Sequence, residues 1–417
     1  MSNLRILIIS QYFWPENFRV NELSEELNKL GHKVTILTGY PNYPSGRIFE
    51  EFKKNKSKFN KYKGVDIIRV PLLPRKNNKF NLLLNYLSFL LTSIIFGYFK
   101  MFGRNFDIIF TFQLSPVTVG ITSSFFSFIK NCPNIFWVLD LWPDTLVALK
   151  VLKRKWQIKL FKILINWIYS NCDIVLAQSK SILKELKNYT SIKNNAYYFP
   201  SWGESNLFFK NNKPAPEVIP KKIFTILFAG NIGEAQDFPN VIRAVNNLSN
   251  QNINNFRVIL IGEGSKKEWV KKEVKKLGID KYFEFHKNYP LNRMGSFFLH
   301  ADALLVSLSN NKVFNMTIPG KLQFYLSSGI PIIGMICGEG AQVIKDSKAG
   351  YVCESGDYIG LSKIICKLIK VEKKLLKDIG RKGKEYAEKE FSKNLLIIKL
   401  NNLLIKTSKK NSQKYKK

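Results

Sequence analysis

The stretch 315–331, Asn-Met-Thr-Ile-Pro-Gly-Lys-Leu-Gln-Phe-Tyr-Leu-Ser-Ser-Gly-Ile-Pro, follows an apolar run at 303–308 and a polar turn at 309–312. Pro319 fixes φ at a value suited to the first turn of a helix. Leu322, Tyr325 and Leu326 then recur at helical spacing, and Gly329 stops the helix before Pro331 and the next strand. Thr317, Ile318, Pro319, Gly320 and Lys321 therefore stand at a helix N-terminus, where free backbone N–H groups and the dipole favour an anion. Two readings are open: a diphosphate site built around Lys321, or an ordinary strand–turn–helix with one exposed lysine.

Outward from this stretch, strand-like runs alternate with helical patterns. Runs at 4–10, 34–38, 66–70, 107–112, 135–140 and 173–178 precede a break, and runs at 224–229, 257–261, 283–285, 303–308, 331–335 and 351–354 follow it. Between the first two runs, Val20, Leu23, Leu27 and Leu30 mark one face of a helix that Gly31 ends. Such alternation specifies βαβ units and parallel sheets with helices on both faces. The break contains Pro214, Pro216 and Pro220, which do not fit a regular element. The expected organisation is an N-terminal domain over 1–205, a linker over 206–222, a second domain over 223–390, a helix over 391–405 and a basic disordered tail over 406–417.

At 417 residues the chain is too long for one compact core. Its formal charge of +34 attracts anionic partners: nucleic acid, anionic lipid headgroups or a phosphorylated substrate. No nucleic-acid recognition motif is present, so nucleic acid is not an expected partner. Cys132, Cys172, Cys337, Cys353 and Cys366 form no CxxC pair and read as thiols in a reducing compartment. His32, His286 and His300 have no metal-binding spacing, and no metal is expected. The first ten residues lack an export signal of usual form, and a cytoplasmic location is expected for the catalytic part.

The segment 80–102 is rich in apolar and aromatic residues and carries no charge from Leu82 to Phe99, a length of about 18 residues and near the lower limit for a membrane span. Asn85, Ser88, Thr92 and Ser93 weaken it as a span, and a basic cluster (Arg75, Lys76, Lys79) precedes it. Interfacial membrane contact is the preferred reading, ahead of a helix buried in the N-terminal domain. A true span is disfavoured because the runs at 66–70 and 107–112 should lie in one sheet.

Several clusters fall just after strands, where open α/β sheets bind ligands. Asp140 follows the run at 135–140 and leads into Leu-Trp-Pro-Asp. A carboxylate there suits orientation or deprotonation of a hydroxyl, or stabilisation of a cationic sugar ring; equally, it caps a turn. Asp144 reads as an N-cap. Glu16 and Arg19, after Gln-Tyr-Phe-Trp-Pro (11–15), either reach the ligand or only start the first helix. In the second domain Gly230, Asn231, Gly233 and Gln236 follow one strand, and Gly262 and Gly264 follow the next. The glycines admit close backbone approach, and the amides offer neutral donors to phosphate oxygens.

On these residues the chain resembles glycosyltransferase family 4, of the GT-B fold, and within it the WbuB-like amino-sugar transferase branch. The resemblance is carried by Gln-Tyr-Phe-Trp-Pro-Glu (11–16), Asp-Leu-Trp-Pro-Asp (140–144), Ala-Gln-Ser (177–179), Phe-Pro-Ser-Trp (199–202), Ala-Gly-Asn-Ile-Gly-Glu-Ala-Gln (229–236) and Thr-Ile-Pro-Gly-Lys-Leu-Gln (317–323). It implies two Rossmann-like doubly wound domains facing a central cleft, with the helix 391–405 returning to the N-terminal domain. It implies a retaining, metal-independent transferase without cofactor, using a nucleotide-diphosphate sugar, expected as a UDP-sugar carrying an N-acetylated amino sugar. The implied acceptor is a polyprenyl-diphosphate-linked saccharide of bacterial O-antigen or capsule, met on the inner face of the plasma membrane by a peripheral or monotopic enzyme. The roles implied are catalytic for Asp140 and Glu16. They are diphosphate-binding for Asn231, Gln236, Thr317, Ile318, Pro319, Gly320, Lys321 and Arg19, and nucleoside-binding for Gly230, Gly262, Gly264, His286 and Gln323. A sugar-nucleotide epimerase of the same fold is the alternative, and it would need no membrane surface.

The chain also departs from the family pattern. Met316 and Phe324 stand where the family's Glu-x7-Glu pair is expected, Asn231 and Gln236 replace a basic pair, and Leu139 replaces a histidine. Ribose recognition must then come from elsewhere, with Gln323 and Glu339 as candidates.

Overall fold

The computed structural model describes residues 3–76, 79–148, 151–189, 192, 194–203, 213–219 and 222–414. The chain forms two compact units, Met1–Phe199 with Leu396–Lys417, and Pro200–Leu395.

The first unit holds eight strands: β1 (Arg5–Ile9), β2 (Lys33–Gly39), β3 (Lys61–Tyr62), β4 (Val65–Val70), β5 (Ile108–Gln113), β6 (Asn134–Val138), β7 (Ile174–Ala177) and β8 (Ala196–Tyr198). They lie in the order β3-β4-β2-β1-β5-β6-β7-β8, parallel throughout except for the β3–β4 hairpin. Ile6, Ile8, Ile36, Ile109, Phe110, Ile135 and Phe136 are fully buried, as a sheet covered on both faces requires. Each such side chain contributes about 1.5–3 kcal/mol of burial.

The helix Lys79–Lys100 is the crossover from β4 to β5, in one sheet as the sequence requires. Its polar side chains face the protein. Asn85 donates to Leu73 O at 2.6 Å, Thr92 to Pro71 O at 2.6 Å, and Ser93 shares a 2.8 Å bond with Thr122. Phe89 is fully buried, whereas Leu83, Leu87, Leu91 and Ile95 are exposed. The helix is therefore not buried all round: much of its apolar side points outward, and its polar side is held by backbone and side-chain partners of the same unit.

The second unit is a six-stranded, fully parallel sheet of β9 (Phe224–Ala229), β10 (Phe256–Ile261), β11 (Phe283–His286), β12 (Ala303–Ser307), β13 (Ile332–Met335) and β14 (Gly350–Cys353). Their order, β11-β10-β9-β12-β13-β14, is the doubly wound dinucleotide-binding order. Two apolar clusters cover its faces, one around Phe228, Phe238 and Leu305, the other around Leu304, Tyr325 and Phe298.

Three boundaries differ from the sequence reading. Within the expected linker, Ala215 and Val218 are buried in the second unit, Ala215 N–H donates to Ser296 O at 3.0 Å, and Glu217 pairs with Arg293 at 2.7 Å. Pro214 and Pro216 flank the buried Ala215 in this packed segment, and 206–212 with 220–221 lie outside the described residues. The tail expected to be disordered continues the helix Lys393–Lys414, while 415–417 lie outside the described residues. Leu396, Ile397, Leu400, Leu404, Thr407 and Ser408 keep a buried helical spacing that the abundant lysines mask. This helix is fastened to the first unit at His32, whose Nδ1 accepts from Leu4 N–H at 3.1 Å and whose Nε2 therefore donates to Asn401 at 2.6 Å. Third, a short helix, Lys312–Met316, capped by Asn311, replaces part of the polar turn before Pro319.

Candidate functional site

Each sheet reverses its strand order at one point, between β1 and β5 in the first unit and between β9 and β12 in the second. Loops leaving the carboxyl ends of such strands run to opposite faces and open a crevice there.

In the second unit the helix Gly320–Ser328 brings Lys321 to the end of β9. Its Nζ lies 3.6 Å from the centre of the Phe228 ring, and a Cβ on Gly230 would sit 3.3 Å from it. One turn on, the Tyr325 hydroxyl accepts from Ala229 N–H at 2.8 Å and donates to Ala229 O at 3.2 Å, which pins the helix to the strand. The Lys321 stem is partly exposed, yet its ammonium is closed to solvent and has no hydrogen-bond partner. Burial alone pushes its pKa down to about 7. An ammonium in this state is costly, and an anion placed beside it would reverse that cost.

Pro319 caps the helix rather than entering its first turn, and the first N–H groups, at Gly320 and Lys321, have no carbonyl partner within the helix. A Cβ at Gly320 would meet nothing within 4 Å, so the approach is open. The neighbouring candidates divide. Ile318 is buried in the core, and Thr317 donates to Phe314 O at 3.1 Å, closing the short helix before it. Neither side chain is directed at an anion.

The loop after β9 is organised internally. The Gln236 side-chain oxygen accepts from Gly233 N–H at 3.0 Å and from the Asn231 amide at 3.4 Å. Asn231 is exposed and keeps a free amide hydrogen for a ligand, but Gln236 offers its oxygen to the loop. Gly262 and Gly264 serve backbone packing: a Cβ on Gly262 would sit 1.9 Å from Gly230 O, and one on Gly264 would sit 2.3 Å from Ile232 O. Their positive φ values, 147° and 157°, add to that demand. His286 is bound to Glu284 at 2.6 Å. Gln323 is buried and donates to Ser201 O at 2.8 Å, holding the segment 200–203; two residues from Lys321, it lies on another face of the helix. Its amide nitrogen is thus engaged with the backbone, while its side-chain oxygen is buried without a partner. Glu339 opens the helix Gly338–Asp346, whose Gly338 would strike Asn315 O at 1.9 Å if it carried a Cβ. That contact brings Glu339 into the neighbourhood of the 315–320 loop.

In the first unit, Asp140 lies two residues beyond β6. Its Oδ1 accepts from the Thr145 hydroxyl at 2.5 Å and its Oδ2 from Trp142 Nε1 at 3.3 Å. Burial raises its pKa, and those two bonds oppose the rise. The carboxylate is thus fixed in direction and held in a low-dielectric setting, which suits proton exchange. Glu16 is different. It is buried, its Oε1 accepts from Asn42 N–H at 2.8 Å and Tyr43 N–H at 2.7 Å, and its Oε2 accepts from Phe13 N–H at 3.2 Å. Burial raises its pKa to about 7 against these donors and the nearby Arg69. Both oxygens are consumed in holding two loops, so the catalytic role expected for Glu16 becomes a structural one. Arg19 opens the helix Arg19–Lys29 of this unit and pairs with Glu22 at 3.8 Å.

Two residues of this site were not singled out from sequence. Gln113 ends β5 and donates to Asp140 O at 3.0 Å; Gln11, two residues past β1, donates to Asn85 at 2.6 Å. The side-chain oxygens of both are buried without a partner. The β1–β5 register, Ile9 opposite Thr111, sets Gln11 and Gln113 at equivalent positions on the two strands that flank the reversal. A glutamine at the carboxyl end of each strand beside the switch point was the available signal. Among the described residues no group of three or more His, Cys, Asp or Glu is arranged to hold a metal ion.

The family model described as Glycosyltransferase Family 4 matches residues 17–198, and that described as Glycosyl transferases group 1 matches residues 209–386. WcaI of Escherichia coli (strain K12), described as a candidate colanic acid biosynthesis glycosyl transferase, is 22% identical over 304 residues, covering 66% of this chain and 70% of its own. Sucrose-phosphate synthase from Thermosynechococcus elongatus superposes with a TM-score of 0.72 at 14% identity, covering 97% of this chain and 99% of its own. Anabaena HepE in complex with UDP and glucose gives a TM-score of 0.67 at 11% identity, covering 96% and 99%. These matches favour a transferase over the epimerase alternative and leave the WbuB-like branch to be argued. With one model on each unit and both sheets in doubly wound order, the chain is a glycosyltransferase of the GT-B fold.

Proposed function

We propose that the enzyme moves an N-acetylated amino sugar from a uridine diphosphate donor to a polyprenyl-diphosphate-linked saccharide, with retention at the anomeric carbon, during assembly of a bacterial surface polysaccharide. The observation that carries this reading is Lys321: a buried ammonium without a hydrogen-bond partner, at the switch point of a dinucleotide-type sheet. A diphosphate is the ligand whose charge such a group accommodates. The UDP and glucose held by HepE favour a sugar nucleotide, and the colanic acid assignment of WcaI favours a polysaccharide setting. The WbuB-like branch rests on the motif resemblance and on Asn231 and Gln236 in place of a basic pair.

In this reading the bond between the sugar anomeric carbon and the diphosphate oxygen breaks, and its electron pair stays with UDP. Lys321 and the N–H groups of Gly320 and Lys321 meet that charge. The acceptor hydroxyl forms the new bond to the anomeric carbon and gives its proton to the Asp140 carboxylate. Gln11 and Gln113 supply two buried acceptor oxygens, matched in chemistry to sugar hydroxyls, in the unit that holds the acceptor. The outward apolar side of the helix Lys79–Lys100 favours a peripheral enzyme working at a membrane, where a polyprenyl acceptor resides.

The test is a thermal-shift screen of purified enzyme against UDP-, GDP- and dTDP-sugars. UDP-N-acetylhexosamines should raise Tm and the other nucleotides should not. A GDP- or dTDP-sugar shift without a UDP shift would reject the donor.

A further inference from the structure

A second exposed apolar face lies on the helix Lys155–Ser170. Trp156, Leu160, Ile163 and Trp167 are 61%, 58%, 59% and 47% exposed. At about 100° per residue these four fall within roughly 60° of one another around the helix. Ile165, Ile168 and Tyr169, on the opposite side, are buried against the unit. Lys155, Lys159 and Lys162 are exposed along one flank of the stripe, with Lys153 and Arg154 just before the helix. The helix is therefore divided into a buried side, a basic flank and an outward apolar ridge carrying a tryptophan near each end.

The placement of this ridge gives it a partner. The helix Val119–Lys130 stands between it and the helix Lys79–Lys100. On one side Ser93 bonds Thr122, and Tyr98 meets Phe125 at 6.5 Å. On the other, a Cβ on Gly120 would lie 2.3 Å from Ile168. Phe128, in the last turn of that middle helix, is 85% exposed. The three segments 79–106, 115–131 and 150–172 contain no aspartate or glutamate. A protein partner would need an apolar groove rimmed by acids to match this surface of lysine, tryptophan and leucine, and a second copy of the chain offers no acid from these three segments. An anionic bilayer matches it, because tryptophan settles at the headgroup boundary and lysines meet lipid phosphates.

We propose that the helix Lys155–Ser170 is a second membrane foot, seated in the interface of an anionic bilayer beside the helix Lys79–Lys100. Two feet on one helical layer fix the rotation of the first unit on the membrane, which a single stripe leaves free. This deepens the membrane part of the function proposed above and rests on it for the choice of lipid.

The experiment uses the full chain and vesicles of phosphatidylglycerol and phosphatidylethanolamine carrying brominated acyl chains. Tryptophan emission should be quenched, and the quenching should fall by at least half in Trp156→Phe/Trp167→Phe. Leu160→Asp/Ile163→Asp should weaken vesicle co-sedimentation about 10-fold or more while leaving the UDP-induced melting shift unchanged. Both changes lie on exposed positions, and circular dichroism checks the fold. A parallel variant, Leu87→Asp/Leu91→Asp, separates the two claims. If it abolishes vesicle binding while the 160/163 variant binds as wild type, the second foot is wrong and the membrane reading survives. Loss of a dimer on size exclusion with the 160/163 variant, without loss of vesicle binding, would assign the ridge to a second copy and overturn the proposal.

Discussion

The two switch points share a topology and differ in what they leave unsatisfied. In the first unit Glu16, seven residues past β1, has both oxygens filled by backbone N–H groups, and the unmet buried groups include the neutral amide oxygens of Gln11 and Gln113. In the second unit the Lys321 amino group, against the Phe228 ring, is unmet as well as the neutral Gln323 Oε1 and Ser355 hydroxyl, and it alone of the three can carry a charge. Neutral acceptors suit the hydroxyls of a sugar, and a buried cation suits a diphosphate. In the proposed reading a shared fold hosts two different recognition chemistries, and the difference lies in a few residues at strand ends.

That contrast can be broken at four places. The largest effect is expected at Asp140. Asp140→Asn removes the proton acceptor and should lower kcat by roughly 100–10,000-fold with UDP affinity intact. Turnover equal to wild type would make Asp140 a turn residue. Next, Lys321→Ala should weaken donor binding or rate by ~10–100-fold, as expected for a lost charge-assisted phosphate contact. Unchanged kinetics would end the diphosphate assignment.

Lys321 also has a stability signature. Its folded pKa of about 7 lies below the ordinary lysine value of 10.5, so the unfolded chain binds more protons between those two pH values. Ligand-free stability should then rise with pH from about 7 towards 10.5. Lys321→Met should remove that slope and leave the free protein equally or more stable at neutral pH, as replacement of an unpaired buried charge does. Denaturant titrations at pH 7 and 9 read both. Glu16→Ala should act in the opposite manner. Two buried N–H donors, at Phe13 and Asn42, lose their acceptor at about 1–3 kcal/mol each, and the part-buried Tyr43 N–H loses less, so destabilisation of roughly 2–6 kcal/mol is expected. Glu16→Gln should retain most turnover per folded molecule, and a 1,000-fold loss of kcat in that variant would restore Glu16 to the chemistry. Smallest is Gln323→Ala, which removes the bond to Ser201 and should cost about 1 kcal/mol without changing the donor KM.

The strands and their order of occurrence were legible because buried parallel strands leave continuous apolar runs, and Lys321 was legible because Pro319 and Gly329 bracket its helix. What was not legible depends on partners far along the chain. Glu16 reads as a possible acid–base group until Asn42 and Tyr43 are seen donating to it. Gly262 and Gly264 read as ligand-approach glycines until Gly230 O and Ile232 O appear beside them. The polar residues of 80–102 looked like defects in a membrane helix and are its anchors to the sheet unit. The tail misled for a compositional reason, since its abundant lysines mask the buried positions Leu404, Thr407 and Ser408.

The central claim is that Lys321 is kept partly deprotonated by burial until a diphosphate arrives. Calorimetric titration of UDP at pH 8, in two buffers of different ionisation enthalpy, measures it directly. The account predicts uptake of a fraction of a proton per UDP bound, absent in Lys321→Met, which should also bind UDP more weakly. Binding without proton uptake, or equal UDP affinity in the variant, would contradict it.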